Sequence, residues 1–273
     1  MNMKQLEEKA QQIRLRDLQA VFDAGAGHIG GELSVIDLLT ALYFNILSID
    51  SSNPKDPERD RLILSKGHTA LALYIVLSER GFIPKEEIQT FLLHNSRLNG
   101  HPNCVKVPGV ETNTGPLGHG LPFGVGTAIA AKLNKENWRT FVIVGDGEMQ
   151  EGSNWEAIMS ASHFRLDNLT LIIDHNGLQQ GASLVDTNNI VPFVEKIKAF
   201  GWSVEEIDGH DMLSICNALS FRTITQGKPK CIVAHTHKGR GISFMTDNVV
   251  WHHKVPSEEQ FRKGISELRR TSP

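Results

Sequence analysis

The chain is poor in cysteine and in aromatic residues. Its three cysteines (Cys104, Cys216 and Cys231) stand at unrelated spacings among 273 residues. They form no Cys-x-x-Cys pair, and their odd number suits no disulfide framework, so a reducing cytoplasm is the expected compartment. An excess of either charge is lacking too: 28 Lys and Arg stand against 31 Asp and Glu, a formal net charge of −3. Holding a nucleic-acid backbone by bulk charge needs a basic footprint, which is absent. The apolar runs are short, such as residues 141–144, far below the roughly 20 residues of a membrane span. The opening MNMKQLEEKAQQIRLRD has no apolar core of the kind a signal peptide carries. No internal repeat or low-complexity tract is visible.

What is present suits one large α/β domain over residues 1–273, with no linker or composition shift. Hydrophobic residues make up 40% and charged residues 22%, enough for a core. Residues 3–24 predict a helix with Leu6, Ala10, Ile13, Leu18 and Val21 as its buried stripe. It ends in Gly25-Ala26-Gly27-His28-Ile29-Gly30-Gly31. A second helix is expected to start at Ser34, with Asp37 at the third position of a capping box. Residues 61–64 predict a strand, which leads into Ser65-Lys66-Gly67-His68 and a helix from Thr69. Residues 97–118, rich in Gly, Pro and Asn, predict a long irregular stretch of the kind that usually serves function. Beyond it, strands are expected at 140–145, 169–174, 202–207 and 231–235. Helices centred near 157, 196, 217 and 263 fall between or after them. That alternation predicts a mostly parallel sheet with helices on both faces. Ligands bind such sheets at the carboxyl ends of the strands, and His68, Asp146, Asn176 and His235 all fall there.

The histidines carry the first chemical signal. Five of the 12 directly follow glycine: His28, His68, His101, His119 and His210. With 24 glycines in 273 residues, chance would give about one such pair. Glycine lets backbone approach a ligand, and imidazole donates, accepts or carries a proton near pH 7. His28, His68 and His101 therefore predict a pocket lined by imidazoles, whereas His210 reads better as a turn residue. The second signal is Gly145-Asp146-Gly147-Glu148 after the strand FVIV, with Asn176-Gly177 after the strand LTLIID. Neighbouring parallel strands would set Asp146 beside Asn176. The glycines flanking Asp146 leave room for a bulky anion. Asp and Asn oxygens with a backbone carbonyl make a hard-oxygen site suited to Mg²⁺ and a phosphate ligand.

The pattern of Gly145-Asp146-Gly147 through Asn176 resembles the thiamine diphosphate fingerprint. AGHIGGELS, SKGHTA, NGHP, TGPLGHG, GDGEMQEG and WHHK together resemble the amino-terminal, diphosphate-binding domain of transketolases, over residues 10–265. The resemblance implies that fold, with thiamine diphosphate and Mg²⁺ as cofactors and Ca²⁺ or Mn²⁺ as alternatives. It implies metal ligation by Asp146, Asn176 and the Leu178 carbonyl. It places His28, His68, His101 and His252 by the cofactor and the sugar, with His28, His101 and His252 in catalysis. Pro116, Leu117 and Gly118 would lie against the cofactor, and Gly147 and Lys238 would face its diphosphate. Glu151 and Glu156 match an acidic pair near the dimer interface. His119 stands where Gln is common and His253 where Gly is usual.

The resemblance also implies transfer of a two-carbon ketol unit from a ketose phosphate to an aldose acceptor. The family's second, pyrimidine-binding domain has no counterpart here. A self-associating subunit of a split transketolase is therefore expected, completed by a separate carboxy-terminal subunit to give a heterotetramer. Rival readings are a metal-dependent hydrolase built on His235 and His237, a deoxyxylulose-phosphate synthase fragment, a 2-oxoacid dehydrogenase subunit, and a non-catalytic regulatory subunit. A Rossmann nucleotide fold fits poorly, since Gly124-Val125-Gly126 follows no strand.

Overall fold

A computed structural model describes residues 1–270. Helix α1 (Met3–Ala24) and helix α2 (Ile29–Ala41) precede strand β1 (Arg61–Leu64) and helix α3 (Ala70–Arg80). After the irregular stretch come α4 (Gly120–Asn134), β2 (Thr140–Gly145), α5 (Gly152–His163) and β3 (Leu169–His175). A small hairpin, β4 (Leu178–Gln179) and β5 (Ala182–Ser183), leads to α6 (Leu184–Asn188) and α7 (Phe193–Ala199). The chain closes with β6 (Ser203–Asp208), α8 (Met212–Ala218), β7 (Lys230–His235) and α9 (Glu258–Arg270).

Five strands form one sheet in the order β1-β2-β3-β7-β6, every pair parallel. Their sequences are near-continuous apolar runs because both faces are covered. Side chains alternate between two cores. Phe141, Ile143 and Ile172 pack with α1, α2 and α3, whereas Val142, Val144 and Leu171 pack with α4, α5 and α7. The mostly parallel α/β architecture expected from the sequence is the one found.

The second helix departs from expectation. It begins at Ile29, next to His28, and Ser34 lies inside it rather than capping it. The Ser34 hydroxyl donates to the Gly31 carbonyl and contacts a carboxylate oxygen of Asp174. Gly30 and Gly31 suggest a chain break, but their role is close packing. A Cβ at Gly30 would lie 2.6 Å from the Trp251 carbonyl oxygen, and one at Gly31 would lie 3.1 Å from Thr69 Cγ2. All of α2 is buried, and it runs on into a π-turn over Leu42–Ile46. Residues 29–46 are long and apolar enough to cross a membrane by length and composition, so the apolar runs are not all short. With 83% of this segment buried inside the fold, it is the central helix of its layer.

Near Thr69, a 3₁₀ turn (Gly67–Thr69) precedes α3, so that helix starts one residue later than expected. Residues 97–118 contain turns and bends but no helix or strand.

Candidate active site

The carboxyl ends of β1, β2, β3 and β7 open on one cleft of about 250 Å³, at the amino end of α2. His28, His68, His101, Leu117, Asp146, Gly147, Asn176, Leu178, Lys238 and His252 all line it. Of the expected site residues, only Pro116 and Gly118 fall outside this lining. Gly118 shapes the loop instead: its φ is +77°, and its N–H donates to Glu148 Oε1 at 2.9 Å. Gly67 lets the long irregular stretch close on the cleft, since a Cβ there would sit 1.9 Å from Thr114 Oγ1.

The imidazoles form a cluster. The ring of His28 lies 5.1 Å from that of His68 and 5.7 Å from that of His252, and His68 and His252 are 5.5 Å apart. His101 joins the lining with its Nδ1 at 3.0 Å from Thr114 Oγ1. Burial is the main reason that His28 is held down at about 4, and the neighbouring His253 adds to the effect. Burial, then Lys66, pushes His68 to about 2, and burial, then Lys238, pushes His252 to about 3. Burial lowers His101 as well. At pH 7 these rings are neutral, so each can donate one hydrogen bond and accept another. Lys238 is lowered to about 8, chiefly by burial and then by Lys66. It retains most of its positive charge at pH 7, and an anion in the cleft would favour that charge further.

The implied metal and diphosphate can be tested against the donor chemistry. Asp146 Oδ1 accepts from the Gly147 N–H at 2.8 Å, and Oδ2 accepts from the Gly177 N–H at 2.6 Å and faces His175 Nδ1 at 3.0 Å. Asn176 Oδ1 accepts from the Leu178 N–H at 3.1 Å, and the Leu178 carbonyl accepts from Lys238 Nζ at 3.3 Å. One carboxylate, one amide oxygen and one peptide carbonyl make an all-oxygen set of low charge, which suits Mg²⁺ shared with phosphate. Among the described residues, no group of three or more His, Cys, Asp or Glu could hold a metal. The oxygen set contains only one such residue, whereas a hydrolase site on His235 and His237 would need a cluster of this kind. There is also room for a bulky ligand. Gly115 and Gly145 line the cleft, and a Cβ at Gly115 would meet nothing within 4 Å, one at Gly145 only Glu148 Cβ at 4.0 Å. The residues present fit thiamine diphosphate with a hard divalent cation.

Three supporting residues escaped the sequence reading. Lys66 and Asp174 form a buried ion pair under the cleft, joined by Ser34 and the Thr236 hydroxyl. Burial would raise the Asp174 carboxyl, but Lys66 and these hydrogen bonds hold it below its usual value. Glu148 joins three segments, taking hydrogen bonds from Ser65 Oγ, the Gly118 N–H and the Gly145 N–H. The signal for Lys66 and Glu148 was their place inside SKGH and GDGE. Asp174, at the end of an apolar strand, gave only its charge. Replacing Lys66 by Met strands the Asp174 charge, so a loss of about 3–5 kcal/mol is expected. Denaturant unfolding of Lys66→Met measures it, and stability within about 1 kcal/mol of the parent would refute it.

Other histidines lie elsewhere. His210 is buried against Asp37 at 2.7 Å and accepts from the His237 N–H at 2.8 Å, a structural role in line with its reading as a turn residue. His119 is exposed, with Nδ1 3.0 Å from the Leu117 carbonyl oxygen. His235 and His237 are about half exposed and face Glu206 and Asp247.

Comparison with known proteins agrees with this geometry. Residues 6–263 match the family described as transketolase, thiamine diphosphate binding domain. From Phocaeicola vulgatus, one of the two subunits of an apulose-4-phosphate transketolase is 42% identical over 98% of this chain and 95% of that protein. A 6-deoxy-6-sulfo-D-fructose transketolase subunit from a Clostridium species is 38% identical over 97% of this chain and 96% of its own length. Human transketolase is 35% identical over 96% of this chain, which spans only 42% of it. The transketolase structure from Campylobacter jejuni superposes with a TM-score of 0.91 at 30% identity, covering 98% of this chain and 43% of that one. These matches leave the hydrolase reading without support. The chain belongs to the transketolase family and carries its amino-terminal, thiamine diphosphate-binding domain.

Proposed function

We propose that this chain is the diphosphate-binding subunit of a cytoplasmic split transketolase that moves a two-carbon ketol unit from a ketose phosphate to an aldose acceptor. The observation that carries the reading is one cleft joining the Asp146–Asn176–Leu178 oxygen set to the cluster of His28, His68, His101 and His252. Thiamine diphosphate, when bound, supplies the carbanion that attacks the donor ketone. Asp146, Asn176 and the Leu178 carbonyl hold Mg²⁺, or Ca²⁺ or Mn²⁺ in its place. Lys238 and the backbone at Gly147 neutralise and seat the diphosphate. His28 and His101 hydrogen-bond the sugar hydroxyls and move their protons as alkoxide character develops, and His68 and His252 face cofactor and sugar together. A separate pyrimidine-binding subunit completes the site, with two copies of each chain.

His28→Ala and His101→Ala test the assignment of roles. In the assembled enzyme each variant is expected to keep its cofactor affinity and lose roughly 10²-fold in kcat. His68→Ala and His252→Ala are expected to weaken cofactor binding as well. Steady-state ketol-transfer assays with calorimetric titration of cofactor separate the two groups. Intact turnover per folded molecule in all four variants would make the histidines structural.

A further inference from the structure

Beneath the His28 segment lies a pair of acids that the chemistry above does not use. Asp17 on α1 and Glu32 in the first turn of α2 are both 0% exposed. Among the described residues, no hydrogen-bond donor meets either carboxylate oxygen of Asp17, and none meets Glu32 Oε2. Glu32 Oε1 has one partner, the backbone N–H of His28, at 3.1 Å.

The cations nearby are engaged elsewhere. Arg14, on α1, pairs with Asp37, which also takes His210. Lys66, on the turn after β1, pairs with Asp174. The other group facing Glu32 is the His28 backbone N–H. Two ionised carboxylates side by side in this environment would be buried charges without counterions, an arrangement that proteins avoid by retaining a proton.

We propose that Asp17 and Glu32 share a proton, and that this pair acts as the positioning device for His28, so that losing the proton in alkali loosens the His28 segment and lowers turnover. His28 sits just before α2, where the helix has no side-chain cap, so the Glu32 carboxyl is what ties its backbone down. Titration agrees with this geometry. Burial, opposed by the His28 N–H and then Lys66, leaves Glu32 raised to about 8, and burial with the Glu32 charge raises Asp17 well above the usual carboxylate range. The sign follows from linkage: the folded chain keeps a proton that the unfolded chain releases. The stability this contributes is complete below the unfolded carboxyl's value and is lost as pH rises toward about 8.

Two measurements test the pair. The first is thermal melting of the chain against pH, which does not depend on the proposed activity. Wild type is expected to lose stability from pH 5 to 9, and Glu32→Gln and Asp17→Asn should each flatten that slope, because an amide cannot ionise. Slopes equal to wild type in both variants would overturn the shared proton. If Glu32→Gln failed to fold, Asp17→Asn alone would decide.

The second measurement rests on the transketolase reading and uses the assembled enzyme at saturating thiamine diphosphate and Mg²⁺, so that Lys238 stays engaged. Glu32→Gln keeps an oxygen for the His28 N–H and should retain kcat at pH 7 while its alkaline limb moves upward. Glu32→Leu should lose roughly tenfold in kcat, with cofactor affinity kept. An unmoved alkaline limb in Glu32→Gln, or full turnover in Glu32→Leu, would overturn the positioning role. Absence of ketol transfer by the wild-type assembly would instead count against the proposed function and leave the melting result standing.

Discussion

Asp146→Ala is expected to abolish Mg²⁺-dependent thiamine diphosphate binding, with an affinity loss well beyond roughly 100-fold. Asp146 is the single charged group among the proposed oxygen ligands, and it is 2% exposed at the floor of the cleft. Without it, an amide and a peptide carbonyl would have to hold a divalent cation beside a diphosphate. The variant also removes the acceptor for the Gly147 and Gly177 N–H groups, which set the turns after β2 and β3. Leaving a buried donor unsatisfied costs about 1–3 kcal/mol, so some loss of stability without cofactor is expected. Asp146→Asn separates the two effects, since it keeps one oxygen acceptor and loses the charge. Asn176→Ala should weaken binding less than Asp146→Ala, because it removes a neutral ligand. Calorimetric titration with thiamine diphosphate and Mg²⁺, on variants shown to be folded by circular dichroism, gives the answer. Unchanged affinity in Asp146→Ala would show that the oxygen set holds no cation.

The strands were legible in the sequence because periodicity and burial agree there. Phe141, Val142, Ile143 and Val144 alternate between two cores, both dry, so the run is apolar throughout and bounded by polar turns. The amino end of α2 was misread because glycine carries two meanings. Gly30 and Gly31 mark a chain break by local propensity, yet they sit inside a helix that Trp251 and Thr69 approach closely. Only tertiary contact distinguishes the cases, and no window of sequence contains it. The same limit explains the site. His28, His68 and His101 were found through the Gly-His pattern, and Asp146 and Asn176 through strand ends. Lys66, Asp174 and Ser34 meet across 108 and 140 residues of chain and leave no local pattern. Pro116 was assigned through the TGPLGHG motif as a whole, but only Gly115 and Leu117 of that loop line the cleft.

The isolated chain is expected to show no ketol transfer and to bind its cofactor weakly, and a carboxy-terminal transketolase subunit should restore both. The cleft holds a hard-oxygen site and imidazoles, whereas carbanion formation on thiamine also needs an acid positioned at the aminopyrimidine ring. The match to full-length transketolase spans only 42% of that protein, so the rest of its machinery lies outside the matched region. The surface offers a place for assembly. On α4, Gly124, Ala128 and Ala131 are buried toward the sheet, and a Cβ at Gly124 would sit 2.4 Å from Val142 Cγ2. The opposite face is different: Phe123 is 49% and Leu133 77% exposed, and a Cβ at Gly126 would meet nothing within 4 Å. Residues 123, 126, 130 and 133 follow helical spacing, so this is one apolar stripe with a small residue at its centre. Met159, on the neighbouring α5, is 56% exposed. Exposed apolar stripes on adjacent helices suit burial against another chain, and specific interfaces bury roughly 1,200 Å² or more in total. Phe123→Asp and Leu133→Asp should therefore reduce assembly and turnover while leaving the melting temperature of the single chain within about 2 °C, because these side chains leave the monomer core untouched. Light scattering on the mixture of subunits, read beside a coupled ketol-transfer assay, decides the matter. Full turnover by the purified chain without a partner would sink the split-enzyme reading, and undisturbed assembly in both Asp variants would move the interface off this stripe.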